Sequence, residues 1–440
     1  MKRKVILLII SVVATLYFTA CGGTDEIISE VTDSGAVSEA DEETVQAETT
    51  QQEAVSEEAV QEEAQIIIKD IEIPAEEIPD TDAFAYVADM KVGWNLGNTL
   101  EAHDNGNTPG NELSTETYWG NPKTTKEMID AVKEAGFETI RIPITWRGHV
   151  TMEEDGTVVV SEAWLNRVKE VVDYAYQNDM YIIINTHHDV DTENGYYPNE
   201  ENFERSEKYL TAVWTAMAEK FKDYDEHLIL ESFNEPRLVG TSYEWNFMPS
   251  QPECKEAADC INRLNQTFVD IVRTSGGNNA QRYLMIPGYT ASPDGVMTNL
   301  YQLPTDSVTD KLIVSVHAYI PYAFALQSPE EGGSSDAFLA DSPFATKDID
   351  YMMERLYDKF ISQGIPVVID EFGARDKSRN LQARVDYYGY YVAAAKARGI
   401  TCCVWDNNLF SGTGENFGLL QRKECSWLYP EIIEAIMKYV

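Results

Sequence analysis

From Phe84 onward the 440-residue chain repeats one pattern: a short apolar run, a polar turn, then an amphipathic stretch. The apolar runs fall at 92–96, 139–143, 181–186, 228–233, 283–287, 312–316, 367–372 and 402–405. Cores such as Tyr181-Ile182-Ile183-Ile184 and Leu228-Ile229-Leu230 are apolar at consecutive positions, as in a strand covered on both faces. The stretches at 126–135, 163–177, 203–221, 256–273, 348–363 and 381–396 space their apolar residues for helices. Eight parallel strands joined by right-handed helical crossovers close into a barrel. The expected fold is therefore an α/β (β/α)8 TIM barrel over residues 83–440, with long loops, since a plain barrel needs only about 250 residues.

The N-terminus reads differently. Met1-Lys2-Arg3-Lys4 is followed by an apolar run from Val5 to Phe18 and the small residues around Thr19-Ala20-Cys21-Gly22. Basic, apolar and small segments in that order make an export signal over residues 1–20, too short for a membrane span. The arrangement resembles a bacterial lipoprotein signal, which implies lipid on Cys21 and attachment to the cell surface; plain secretion is the alternative. Residues 21–82 are rich in Glu, Asp, Ala, Thr, Ser and Gln without an aromatic residue, and are expected to be a disordered acidic linker. They carry roughly half of the net charge of −40. Such a field repels nucleic acid and anionic bilayers, but is compatible with a neutral polysaccharide. Membrane contact is expected only through the lipid. Five cysteines lie in the folded region; a Cys254–Cys260 bond is open and requires Cys254 to precede its helix.

In a barrel of this kind the residues just after each strand face the active site. Those ends supply Asn95 and Asn98, Arg141, His187 and His188, Asn234 and Glu235, His317 and Tyr319, Glu371, and Trp405. Glu235 and Glu371 follow the fourth and seventh strands. Two facing carboxyls suit glycoside hydrolysis, in which one donates a proton and the other attacks. Arg141 is expected to favour the ionised form of Glu371, and Asn234 with Pro236 to orient Glu235. His187 and His188 are adjacent and point apart, so neither a metal nor any cofactor is expected. Trp94, Trp119, Trp146, Trp245 and Trp405 stand near rim loops, where each could stack on sugar or pack inside.

The blocks Val92-Gly93-Trp94-Asn95-Leu96-Gly97-Asn98, Ile140-Arg141-Ile142-Pro143, Asn185-Thr186-His187-His188-Asp189, Asn234-Glu235-Pro236 and Ile369-Asp370-Glu371-Phe372-Gly373 resemble, in order, those of glycoside hydrolase family 5. The first and third are most similar to the clostridial and rumen endo-β-1,4-glucanase branch. The resemblance implies Glu235 as acid/base, Glu371 as nucleophile and Asn234 bonding the sugar 2-hydroxyl. It implies substrate contacts from Asn98, Arg141, His187, His188, His317 and Tyr319, with Trp405 as the floor. The expected activity is retaining hydrolysis of internal β-1,4 bonds in cellulose and related glucans by a monomer. Xyloglucan, mixed-linkage glucan, mannan or xylan could serve the same machinery, and a non-catalytic glycan-binding protein is the alternative of another class.

Overall fold

A computed structural model describes residues 65–104, 112–153, 157–377 and 380–440. The expected signal peptide, Cys21 and the linker as far as residue 64 lie outside the described residues. Eight strands form a closed parallel barrel: β1 (Val92–Leu96), β2 (Thr139–Ile142), β3 (Tyr181–Asn185), β4 (Leu228–Glu231), β5 (Leu284–Pro287), β6 (Leu312–His317), β7 (Val367–Phe372) and β8 (Thr401–Asp406). β1 closes the ring on β8, with Gly93 opposite Cys403. Only glycine fits there, because a Cβ would stand 2.3 Å from the Cys403 sulfur.

Among the described residues ten α-helices accompany the strands: α1 (Asp82–Asp89), α2 (Lys126–Glu134), α3 (Glu162–Tyr176), α4 (Phe203–Phe221), α5 (Pro252–Thr274), α6 (Pro293–Met297), α7 (Tyr322–Ala325), α8 (Pro343–Lys359), α9 (Leu381–Ala397) and α10 (Pro430–Met437). The (β/α)8 expectation holds, and its six helices lie at α2, α3, α4, α5, α8 and α9. Among the described helices none is long and apolar enough to cross a membrane.

Side chains of one parity point into the barrel. Its lower interior is filled by Ile183, Ile229, Met285, Ile313, Val368 and Cys403, closed from below by Ala83, Tyr86, Val87 and Met90 around α1. Two residues further along the strands the same parity brings Asn95, Arg141, Asn185, Glu231, Ser315 and Asp370, all fully buried. The interior thus passes from an apolar plug to a polar layer beneath the strand ends.

The linker boundary requires correction. Residues 65–81 are ordered in a strap along the barrel's outside. Ile66, Ile68, Ile71, Ile73 and Ile78 pack on the core, while Ile67, Asp70 and Glu72 face solvent. This alternation gives an extended segment one apolar face, which the acidic average of the wider window conceals. Ile67 exchanges backbone bonds with Gln382 at 2.8 and 2.7 Å, and Lys69 pairs with the buried Asp386 at 2.7 Å. Tyr439 receives the Ile71 N–H at 2.9 Å and donates to the Lys69 carbonyl at 2.7 Å. Cys254 and Cys260 are both free. α5 begins at Pro252, so the two cysteines sit six apart on one helix and point apart.

Candidate active site

Arg141 is the centre of the polar layer. It projects from β2, and its guanidinium is shared among several elements. Nε and Nη2 donate to Glu231 at 2.8 and 3.1 Å, and Nε stands 3.2 Å from Asp370. Nη1 donates to Glu371 at 2.6 Å and to Asn95 at 3.1 Å, while Nη2 donates to Asn234 at 2.8 Å. The guanidinium therefore lies between these carboxyls. Their charge is met by a fixed organic cation.

Glu371 is the penultimate residue of β7 and is buried, and each of its oxygens has a donor. Oε1 takes Arg141, and Oε2 takes the Tyr319 hydroxyl at 2.9 Å. Glu235 follows β4 and opens to the cleft, its side chain 18% exposed. Its Oε1 lies 2.9 Å from His317 Nδ1, which is also 3.5 Å from Glu371 Oε2. Carboxylate oxygens of Glu235 and Glu371 come within 4.8 Å of one another. Arg237 holds the Glu235 backbone carbonyl at 2.9 Å and approaches its carboxyl at 3.7 Å.

Burial opposes a charge on His317. The carboxylates of Glu371 and Asp370, with the bonds to Asp370 and Glu235, outweigh it and hold the imidazole well above its usual pKa. Burial also pushes Glu235 up, but the His317 bond and the charges of His317, Arg237 and Arg141 prevail and hold it below its ordinary value. Glu371 is raised: burial, with Glu235 and Asp370 nearby, exceeds the pull of His317 and Arg141. Arg141 thus acts on Glu371 in the expected direction, yet burial decides the sign in the resting site.

The remaining expected residues divide. His187 lies parallel to Trp405, with centroids 6.0 Å apart, and its Nδ1 lies 3.3 Å from Asn185 Nδ2. His188 turns away to meet His103 and Trp119, each at 5.5 Å. Burial lowers both histidines well below their usual pKa, so both are neutral. Asn98 stands apart from Arg141 on a left-handed turn; Glu101 receives its N–H, and Asn121 donates to its carbonyl at 2.7 Å. Trp94 and Trp146 are core residues with no exposure. Trp245 is 65% exposed and stacks 4.0 Å from the Arg237 guanidinium, on the Glu235 side of the site. Glu231, Asp370, Asn185 and Ser315 were not foreseen as site residues, and of Asn95 and Asn98 it is Asn95 that bonds Arg141.

A family model described as cellulase (glycosyl hydrolase family 5) matches residues 101–411. Endoglucanase A of Clostridium longisporum is 43% identical over 354 residues, 80% of this chain but 65% of that protein, so the chain spans slightly less than two thirds of its length. Endoglucanase A of Ruminococcus albus is 39% identical over 363 residues, covering 82% of this chain and 94% of the relative. The structure of a family 5 lichenase from a Caldicellulosiruptor species matches with a TM-score of 0.83 at 53% identity, across 85% of this chain and 100% of that one. This chain belongs to glycosyl hydrolase family 5.

Proposed function

We propose that the protein is a retaining endo-β-1,4-glucanase, a cellulase that cuts internal bonds of cellulose and related β-glucans. The approach of Glu235 and Glu371 to within 4.8 Å supports it. Retaining pairs stand about 5 Å apart, whereas inverting pairs need roughly 6.5–9.5 Å to admit a water between carboxyl and sugar. The Glu371 carboxylate attacks the anomeric carbon as the glycosidic C–O bond breaks, and the Glu235 proton passes to the departing oxygen. Glu235 then takes a proton from the water that displaces Glu371 from the sugar.

That sequence needs the proton on Glu235 when substrate is bound, the reverse of the resting preference. His317 contacts both carboxyls, so the proton has only a short way to move. Positive charge developing at the anomeric carbon favours ionised Glu371, while a sugar over the cleft excludes water from Glu235 and favours its neutral form. Trp245, exposed and stacked on the Arg237 that holds the Glu235 carbonyl, suits the leaving-group side of the chain.

Proton NMR of the first product from a soluble β-glucan should show the β-anomer; an α-anomer would overturn the mechanism. A panel of cellulose, mixed-linkage glucan, xyloglucan, mannan and xylan with product lengths tests the substrate. Xylan or mannan as the preferred polymer would overturn the glucanase reading. Release of reducing sugar from any of them excludes a pure binding protein. The 53% identity to a protein named a lichenase favours mixed-linkage glucan as the second reading. The sequence at residues 1–22 supports export with lipid on Cys21. Cys21→Ser should move the protein from the membrane fraction to the medium, and retention with the signal cleaved would remove the anchor.

A further inference from the structure

Beneath the catalytic carboxyls lies a second pair, Glu231 and Asp370, both without solvent exposure. The Ser315 hydroxyl bridges them, 3.1 Å from Glu231 and 2.9 and 3.0 Å from the Asp370 oxygens. Asp370 also receives the Val316 N–H at 3.0 Å and faces His317 Nε2 at 3.5 Å. Glu231 is met by Arg141 and by Asn185 at 3.1 Å. Arg141 and His317 are therefore each held between a catalytic carboxyl above and a buried carboxyl below.

Counting charge makes the arrangement specific. Four carboxyls, Glu231, Glu235, Asp370 and Glu371, meet two cations, Arg141 and His317; a third, Arg237, stands 3.7 Å from Glu235 but is paired with Glu244 at 3.4 Å. A dry cluster with unbalanced charge is costly, so two of the four should carry protons. In the state that reacts, one proton sits on Glu235 and Glu371 carries none. Of the buried pair, Asp370 has the backbone N–H and faces both cations, which leaves the second proton to Glu231.

We propose that Glu231 and Asp370 act as a positioning pair for catalysis, with neutral Glu231 and ionised Asp370 fixing the charge of the cluster so that His317 stays a cation between Glu235 and Glu371. This rests on the roles given above to Glu235 and Glu371. The ionisation tendencies agree: burial first, with Asp370 adding to it, pushes Glu231 up to about 8, while Arg141 and His317 overcome burial and hold Asp370 low. The other ionisable groups facing the cluster are Arg237, His187, Tyr319, Cys403 and Glu415. His187 is neutral, and burial keeps the Tyr319 hydroxyl and Cys403 thiol protonated. Burial raises Glu415 against the pull of Arg375.

Asp370→Asn and Glu231→Gln have nearly the same shape as wild type, so their difference reports charge. Nitrogen-15 NMR of the full-length enzyme, with the His317 signal assigned through His317→Gln, should show an imidazolium throughout the stable pH range. Asp370→Asn should bring its titration into that range and lower kcat at least a hundredfold with KM little changed. Glu231→Gln should cost kcat less than tenfold, leave His317 cationic and carry the alkaline limb of kcat upward, because a group that loses its proton above neutrality is gone. Infrared difference spectra of wild type against Glu231→Gln should show one protonated carboxyl at neutral pH, a reading that does not need Asp370→Asn to fold. Equal losses in the two variants, an unmoved His317, or no such carboxyl would overturn the proposal. Exchanged roles of Glu235 and Glu371 would instead appear in azide rescue of their own variants.

Discussion

Glu371→Ala should have no measurable turnover on any substrate, because no other group stands where the nucleophile must attack. Glu235→Ala should fail selectively. Cellulosic substrates, whose leaving group needs a proton, should slow on the order of 10²- to 10⁴-fold. A dinitrophenyl cellobioside leaves without help, so its glycosyl-enzyme should form and then persist for want of a base. Azide, which attacks without deprotonation, should restore turnover in Glu235→Ala and yield the β-glycosyl azide. Steady-state kinetics with and without azide, and mass spectrometry of the trapped enzyme, read every step. An α-azide from Glu235→Ala, or rescue of Glu371→Ala giving a β-azide, would show that the roles are assigned wrongly.

Cutting the chain on either side of the strap should separate two outcomes that its acidic composition alone would merge. A protein starting at residue 65 should melt like the full chain, because the barrel's packing is intact. One starting at residue 82 loses five half-buried isoleucines, worth roughly 1 kcal/mol each before the ordering entropy of the segment is set against them. It also uncovers Asp386, whose partner Lys69 is 2.7 Å away. The melting temperature should fall by several degrees, with kcat near that of the full chain at low temperature. Calorimetry of the two proteins side by side decides it; identical melting would mean that the strap adds nothing.

The strands were legible because a buried parallel strand has few ways to be written. β1 and β7 occupy the expected residues, and β3 differs at its end by one. Glu235 and Glu371 were legible because polar residues cluster after the strands. The second carboxyl pair was missed although it lies no deeper in the strands, for Glu231 closes β4 and Asp370 stands beside Glu371 within β7. A signal was present: each follows a run of three apolar residues, at the parity of Ile229 and Val368, which fill the barrel interior. An acid at such a position has no water and must find a cation. Arg141 was assigned to Glu371 alone, so this demand went unread. The sign of the Glu371 shift could not be read from sequence either, because it depends on how deeply the carboxyl is buried. The rim aromatics divided by exposure, which the spacing of tryptophans does not encode.

The bond from Ile71 to the Tyr439 hydroxyl joins residues 368 apart in the chain. The strap therefore gains this partner only after residue 439 has been made. β1 likewise waits for β8 before the ring can shut. Until then the sheet has unpaired edges, a form prone to aggregation and proteolysis. The ring and the strap therefore close only once residues 401–406 and 439 are present.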